Sequence, residues 1–210
     1  MKRILSAVLI LLLLGGALAE GWDFSRQSLD ELYAIRDLLN ARIGELERSD
    51  GVQVYESGTY QVGSDLPAGD YVLVEYENAM FASVIIRESQ AEDSNLLAHH
   101  LIDHQLVVRL EAGTWITFSE ARAYPLDQAP VAENGVTGEG GYLVGALLPA
   151  GWYDVRLTDF APLSSYSIYD GILGTGAQLT KFEVLRDTAR IVLSDGEYIE
   201  LSGCWLSPAE

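Results

Sequence analysis

The strongest constraint on this 210-residue chain is that part of it occurs twice. Tyr60-Gln61-Val62-Gly63-Ser64-Asp65-Leu66-Pro67-Ala68-Gly69-Asp70-Tyr71 returns 82 positions later as Tyr142-Leu143-Val144-Gly145-Ala146-Leu147-Leu148-Pro149-Ala150-Gly151-Trp152-Tyr153, identical at 8 of 12 places. A second block agrees at an offset of 83, where Gly113-Thr114-Trp115-Ile116-Thr117-Phe118-Ser119 corresponds to Gly196-Glu197-Tyr198-Ile199-Glu200-Leu201-Ser202. One inserted residue between the blocks accounts for the difference. The pattern is that of a duplication, and each copy must fold as the same unit.

The repeated unit reads as β-structure. Leu66-Pro67-Ala68-Gly69 predicts a type I turn, with proline presetting the second backbone angle and glycine at the fourth place. After the matching turn, Tyr153, Val155 and Leu157 alternate with Trp152, Asp154, Arg156 and Thr158, the period of a strand with one buried face. Further β-rich runs are 81–87, 106–110, 114–118, 165–169, 179–185, 190–193 and 198–201. Short strands separated by Gly, Asp and Pro predict a mostly β fold of two tandem small antiparallel β-sandwich or barrel-like repeats.

One amphipathic helix precedes them. Leu29, Leu32, Ile35, Leu39, Ile43 and Leu46 recur at spacings of three and four, Ser28 and Glu31 form a capping box, and Ser49-Asp50-Gly51 stops the run. The predicted organisation is a signal peptide at 1–19, a helix segment at 20–51, a first β-domain at 52–126, a linker at 127–140 and a second β-domain at 141–210. The only cysteine is Cys204, which excludes an internal disulfide and is expected to be a buried, inert thiol. Small cores without staples are then expected to pack on each other or on the helix.

Residues 1–19 also set the expected compartment. Lys2 and Arg3 begin a run that is apolar from Ile4 to Leu14, and Ala17-Leu18-Ala19 predicts cleavage between Ala19 and Glu20. The apolar stretch is short for a permanent span, so a secreted protein without stable membrane insertion is expected. All 31 acidic residues follow position 19, and the net charge of −18 argues against nucleic acid as a partner.

The stretch Ser28-Leu29-Asp30-Glu31-Leu32-Tyr33-Ala34-Ile35-Arg36, leading into Gly58-Thr59-Tyr60-Gln61-Val62-Gly63 and Asp65-Leu66-Pro67-Ala68-Gly69-Asp70-Tyr71, resembles a group of uncharacterised exported proteins of Gram-positive bacteria. These join a leucine-aspartate-glutamate-leucine helix to β-modules with a glycine, tyrosine, valine-glycine, proline-alanine-glycine, tyrosine signature. The resemblance implies no enzyme activity and assigns no catalytic residue.

His99, His100, Asp103 and His104 are the cluster with metal-ligand types. On a strand, His100 and His104 stand about 13 Å apart at 3.3 Å per residue, too far to share one zinc ion. Alignment with the second copy, which sets Phe182 against His100, favours the strand. No metal or other cofactor is expected. The sequence carries no HExxH, G-x-S-x-G, phosphate-cradling loop or dinucleotide fingerprint, and no catalytic residue is assigned.

Trp152 is the aromatic that stands out, because the first copy has Asp70 at its place. Strand parity puts it outward with Asp154 and Arg156, a grouping that suits a glycan or protein ligand. The expected function is that of a non-catalytic binding or interaction protein at the cell surface. Alternatives are an oligomerisation module acting through the helix, against which a monomer is favoured, and a secreted hydrolase.

Overall fold

The protein is described from a computed structural model at residues 27–35, 38–39, 42, 51–76, 79–91, 93–129, 135–158, 161, 163–173 and 176–209. The expected signal peptide and the helix positions Ile43 and Leu46 lie outside these residues. The chain divides into two compact units, Met1–Glu47 and Arg48–Glu210.

In the first unit the backbone is helical at 29–35, 38–39 and 42. Its start is the expected capping box: Ser28 N donates to Glu31 Oε2 at 2.9 Å, and Glu31 N donates to Ser28 Oγ at 3.3 Å. Leu32 and Ile35 are half-buried, whereas Leu29 and Leu39 are exposed.

The second unit is built of strands, seven from each copy. The first copy gives β1 (Gly58–Gln61), β2 (Gly69–Glu75), β3 (Ser83–Arg87), β4 (Leu96–Leu101), β5 (Gln105–Leu110), β6 (Trp115–Ser119) and β7 (Ala121–Pro125). The second gives β8 (Gly140–Leu143), β9 (Gly151–Leu157), β10 (Ser164–Tyr169), β11 (Leu179–Leu185), β12 (Ala189–Leu193), β13 (Tyr198–Ser202) and β14 (Cys204–Pro208). All pairings between these strands are antiparallel. Each copy has a four-stranded sheet, β1-β6-β3-β4 or β8-β13-β10-β11, and a three-stranded sheet, β5-β2-β7 or β12-β9-β14. The same strand order appears twice, and each copy is a small antiparallel sandwich.

Inward residues alternate as the sequence predicts. Tyr71, Leu73, Val84, Ile86, Ile116 and Phe118 are buried in the first copy, and Tyr153, Val155, Tyr166, Ile168, Ile199 and Leu201 in the second. The tight turn lies three residues earlier than expected, at Gly63-Ser64-Asp65, where Gly63 N donates to the Leu66 carbonyl at 2.7 Å. Gly63 has φ of 96°, a left-handed value that glycine adopts freely. Pro67 instead supplies a carbonyl to the Tyr71 hydroxyl at 2.9 Å, repeated between Pro149 and Tyr153 at 2.7 Å. The proline-to-tyrosine spacing of the repeat is therefore a latch. Burial, with Tyr55 nearby, pushes the Tyr71 phenol up to about 12.

Both copies belong to one compact unit, and the joint between them explains where they diverge. On the outward side of β5-β2-β7, Val72, Val107 and Tyr124 are buried. The register of the second copy puts Asp154, Arg190 and Ser207 at the same places. The second copy meets the first through Tyr198, which reaches the Val107 backbone, and through Gly141, whose carbonyl accepts from Gln105 Nε2 at 2.9 Å. Val108 also bridges to Leu173.

Cys204 is free and buried, and its thiol donates to the Ser165 carbonyl at 3.2 Å. Burial pushes its pKa up to about 11, so almost no thiolate is present at neutral pH. Iodoacetamide at pH 8 is expected to leave the native protein unlabelled and to modify one thiol per chain in urea. Equal labelling rates in both states would contradict this packing.

Candidate functional site

β9 is the centre of its sheet, so its outward side chains have neighbours on both flanks. Trp152 stands opposite Val192 of β12, Asp154 lies between Arg190 of β12 and Ser207 of β14, and Arg156 is opposite Trp205. The three residues singled out by parity thus share one face, as expected. Trp152 is 61% exposed and Val192 53%, an apolar pair open to solvent.

Asp154 has a different part to play. Its carboxylate accepts from Arg190 Nε at 2.8 Å and Nη2 at 3.2 Å, and its side chain is only 15% exposed. Hydrogen bonding from Arg190 is the main reason its pKa is held below the usual carboxylate value. It is committed to its own sheet and orients Arg190. Arg156 lies 3.8 Å from Asp154 and stacks over the Trp205 ring, 5.6 Å from its centroid. The face therefore presents Trp152 and Val192 at one end and an Arg156–Trp205 stack at the other, with an ion pair between. Parity along β9 could not reveal Trp205, Val192 or Arg190, because they arrive from other strands through register.

The same sheet of the first copy tests whether the fold needs this arrangement. At the places of Trp152 and Val192 it has Asp70 and Arg109, joined by two hydrogen bonds of 2.6 and 2.8 Å. The exposed apolar pair is therefore specific to the second copy. No protein-family model and no curated protein matches the chain.

The expected strand through His99 and His100 is β4, but the match to the second copy shifts by one residue. His99 faces Ile85 and Phe182 faces Ser167, and these are equivalent positions, so His99 rather than His100 corresponds to Phe182. Burial, and then His99, lowers the His100 pKa. Asp103 and His104 leave that strand and come near Glu139 instead, with ligand-type atoms within 4.8 Å of one another. His104 Nδ1 lies 2.8 Å from Glu75.

Two hollows escaped sequence reading. One, about 510 Å³, is bounded by Thr59, Arg87, Ser89, Gln90, Trp115 and Thr117 on the outward face of β1-β6-β3. The other, about 280 Å³, opens where the two copies meet. Its floor is the outward face of β8-β13-β10, carrying Glu200, Ser165, Ser167 and Ser202, and its wall is Leu101, Asp103 and Gln105 of the first copy.

Proposed function

We propose that this is an exported, non-catalytic binding protein that holds a glycan or a protein on the outward face of β12-β9-β14. Export would begin at the Lys2-Arg3 apolar segment and release a chain starting at Glu20, in keeping with the resemblance to exported proteins of Gram-positive bacteria. The observation that carries the reading is the substitution of an ion pair by Trp152 and Val192 at a place where the duplicated fold is content with Asp70 and Arg109. A tryptophan set out of the core, beside arginines fixed by their own partners, offers a ring for stacking and directed donors around it.

The test is an array of extracellular glycans and proteins, followed by affinity measurements with variants. Trp152→Ala is expected to weaken the ligand found by about 2 kcal/mol or more, roughly 30-fold in Kd, with little change in Tm because the ring supports no core. Unchanged affinity for every ligand found would remove this face from consideration.

A further inference from the structure

The cleft at the joint has a chemistry of its own, independent of the face around Trp152. Cross-strand register sets Ser167 and Gly141 on either side of Glu200, and Ser165 beside Ser202, so these groups point the same way. Glu200 is half-buried, and among the described residues no lysine or arginine pairs with it or lines the cleft. The Tyr169 hydroxyl is its polar neighbour and partly offsets the rise in pKa that burial causes. Asp103 adds a second carboxylate to the wall, while the exposed Leu101 supplies apolar surface.

A half-buried carboxylate without a counter-charge calls for a cation from outside. Three serine hydroxyls and one carboxylate give acceptors from several directions, which matches the three N–H donors of an ammonium. A guanidinium fork is best matched by a carboxylate presented edge-on with both oxygens open, whereas here the acceptors are spread over Glu200 and the serines of two neighbouring strands. The volume is just below the usual range of about 300–1,000 Å³ for ligand pockets, so the occupant is small.

We propose that this cleft binds a primary ammonium on a short alkyl chain, the ammonium against Glu200 and the serines and the chain along Leu101. The group can come from a free alkylamine or from a lysine side chain offered by a partner. Burial raises the Glu200 pKa, as an unpaired carboxylate requires, and a bound cation would bring it back down.

The experiment titrates the full chain with n-pentylamine, with Nα-acetyl-lysine N-methylamide and with 1-pentanol, read by calorimetry and by NMR shifts. Saturable 1:1 binding of pentylamine but not pentanol is expected. Glu200→Gln should weaken it at least tenfold and Ser167→Ala several-fold, with both variants keeping the native circular dichroism spectrum. Binding of the lysine derivative as well would point to a side chain as the source, and binding of pentylamine alone to a free amine. Absence of saturable binding, equal binding of pentanol, or an affinity untouched by both substitutions would overturn the proposal.

Discussion

Gly141→Ala is expected to lower the stability of the β-unit by about 3 kcal/mol, the upper part of the range for overpacking a filled interior. A Cβ there would collide with the Tyr198 hydroxyl and come within 2.6 Å of the ring carbon bearing it. Tyr198 cannot yield, since it is fully buried at the joint between the copies, where burial lifts its pKa well above the tyrosine value. At about 2–4 °C per kcal/mol for a unit of this size, the loss should read as a Tm drop of roughly 6–12 °C. Tyr198→Phe removes the closest atom, so the double variant should recover part of that drop. A double variant no better than Gly141→Ala alone would show that the hydroxyl is not the obstacle.

The second large effect compares one place in both copies. Gly203, between β13 and β14, has φ of 63°, and the matching residue between β6 and β7 is Glu120 at 55°. Left-handed backbone costs a residue with a Cβ about 1–2 kcal/mol. At Gly203 a Cβ would also meet the Leu163 carbonyl oxygen at 2.5 Å and the Ala161 methyl at 2.6 Å. Gly203→Ala should therefore cost about 3 kcal/mol or more. Glu120→Gly relieves strain and gains unfolded-chain entropy in return, so it should change stability by at most about 1 kcal/mol, with the sign favouring the variant. Urea midpoints for both variants decide it: equal losses would mean that the two bends are not equivalent.

Much of the fold was legible because the chain states it twice. Offsets of 82 and 83 and the period-two run after Gly151 fixed the repeated sandwich and the inward tyrosines. The strands that escaped are β7 and β14, both at sheet edges, whereas the edge strand β4 was legible only through its match to the second copy. β4 reads Leu96-Leu97-Ala98-His99-His100-Leu101, with no alternation because neither side is fully covered. β7 and β14 end in Pro125 and Pro208, and proline, lacking an N–H, argues for an interior strand nowhere. The turn was misplaced because Pro67 serves the tyrosine latch rather than the bend. Trp152 was found by parity and by comparing copies, whereas Trp205 and Arg190 depend on pairing across more than one strand. The cleft around Glu200 had no local signal, because its wall and floor come from different copies.

The divergence at the outward faces also limits how far such modules can be strung together. Where the first copy offers Val72 and Val107 to its neighbour, the second offers the Asp154–Arg190 ion pair, and where the second receives with Leu143, Tyr169 and Tyr198, the first has Gln61, Arg87 and Trp115. A face that had kept the valines would accept the tyrosine-bearing face of another molecule. Such a head-to-tail contact does not close on itself but propagates into filaments. With the Asp154–Arg190 ion pair on one face and Gln61 and Arg87 on the other, the valine-to-tyrosine joint is not repeated there, and desolvating those groups opposes such a contact. A head-to-tail contact between molecules is thus disfavoured at the faces that the joint between the copies leaves open.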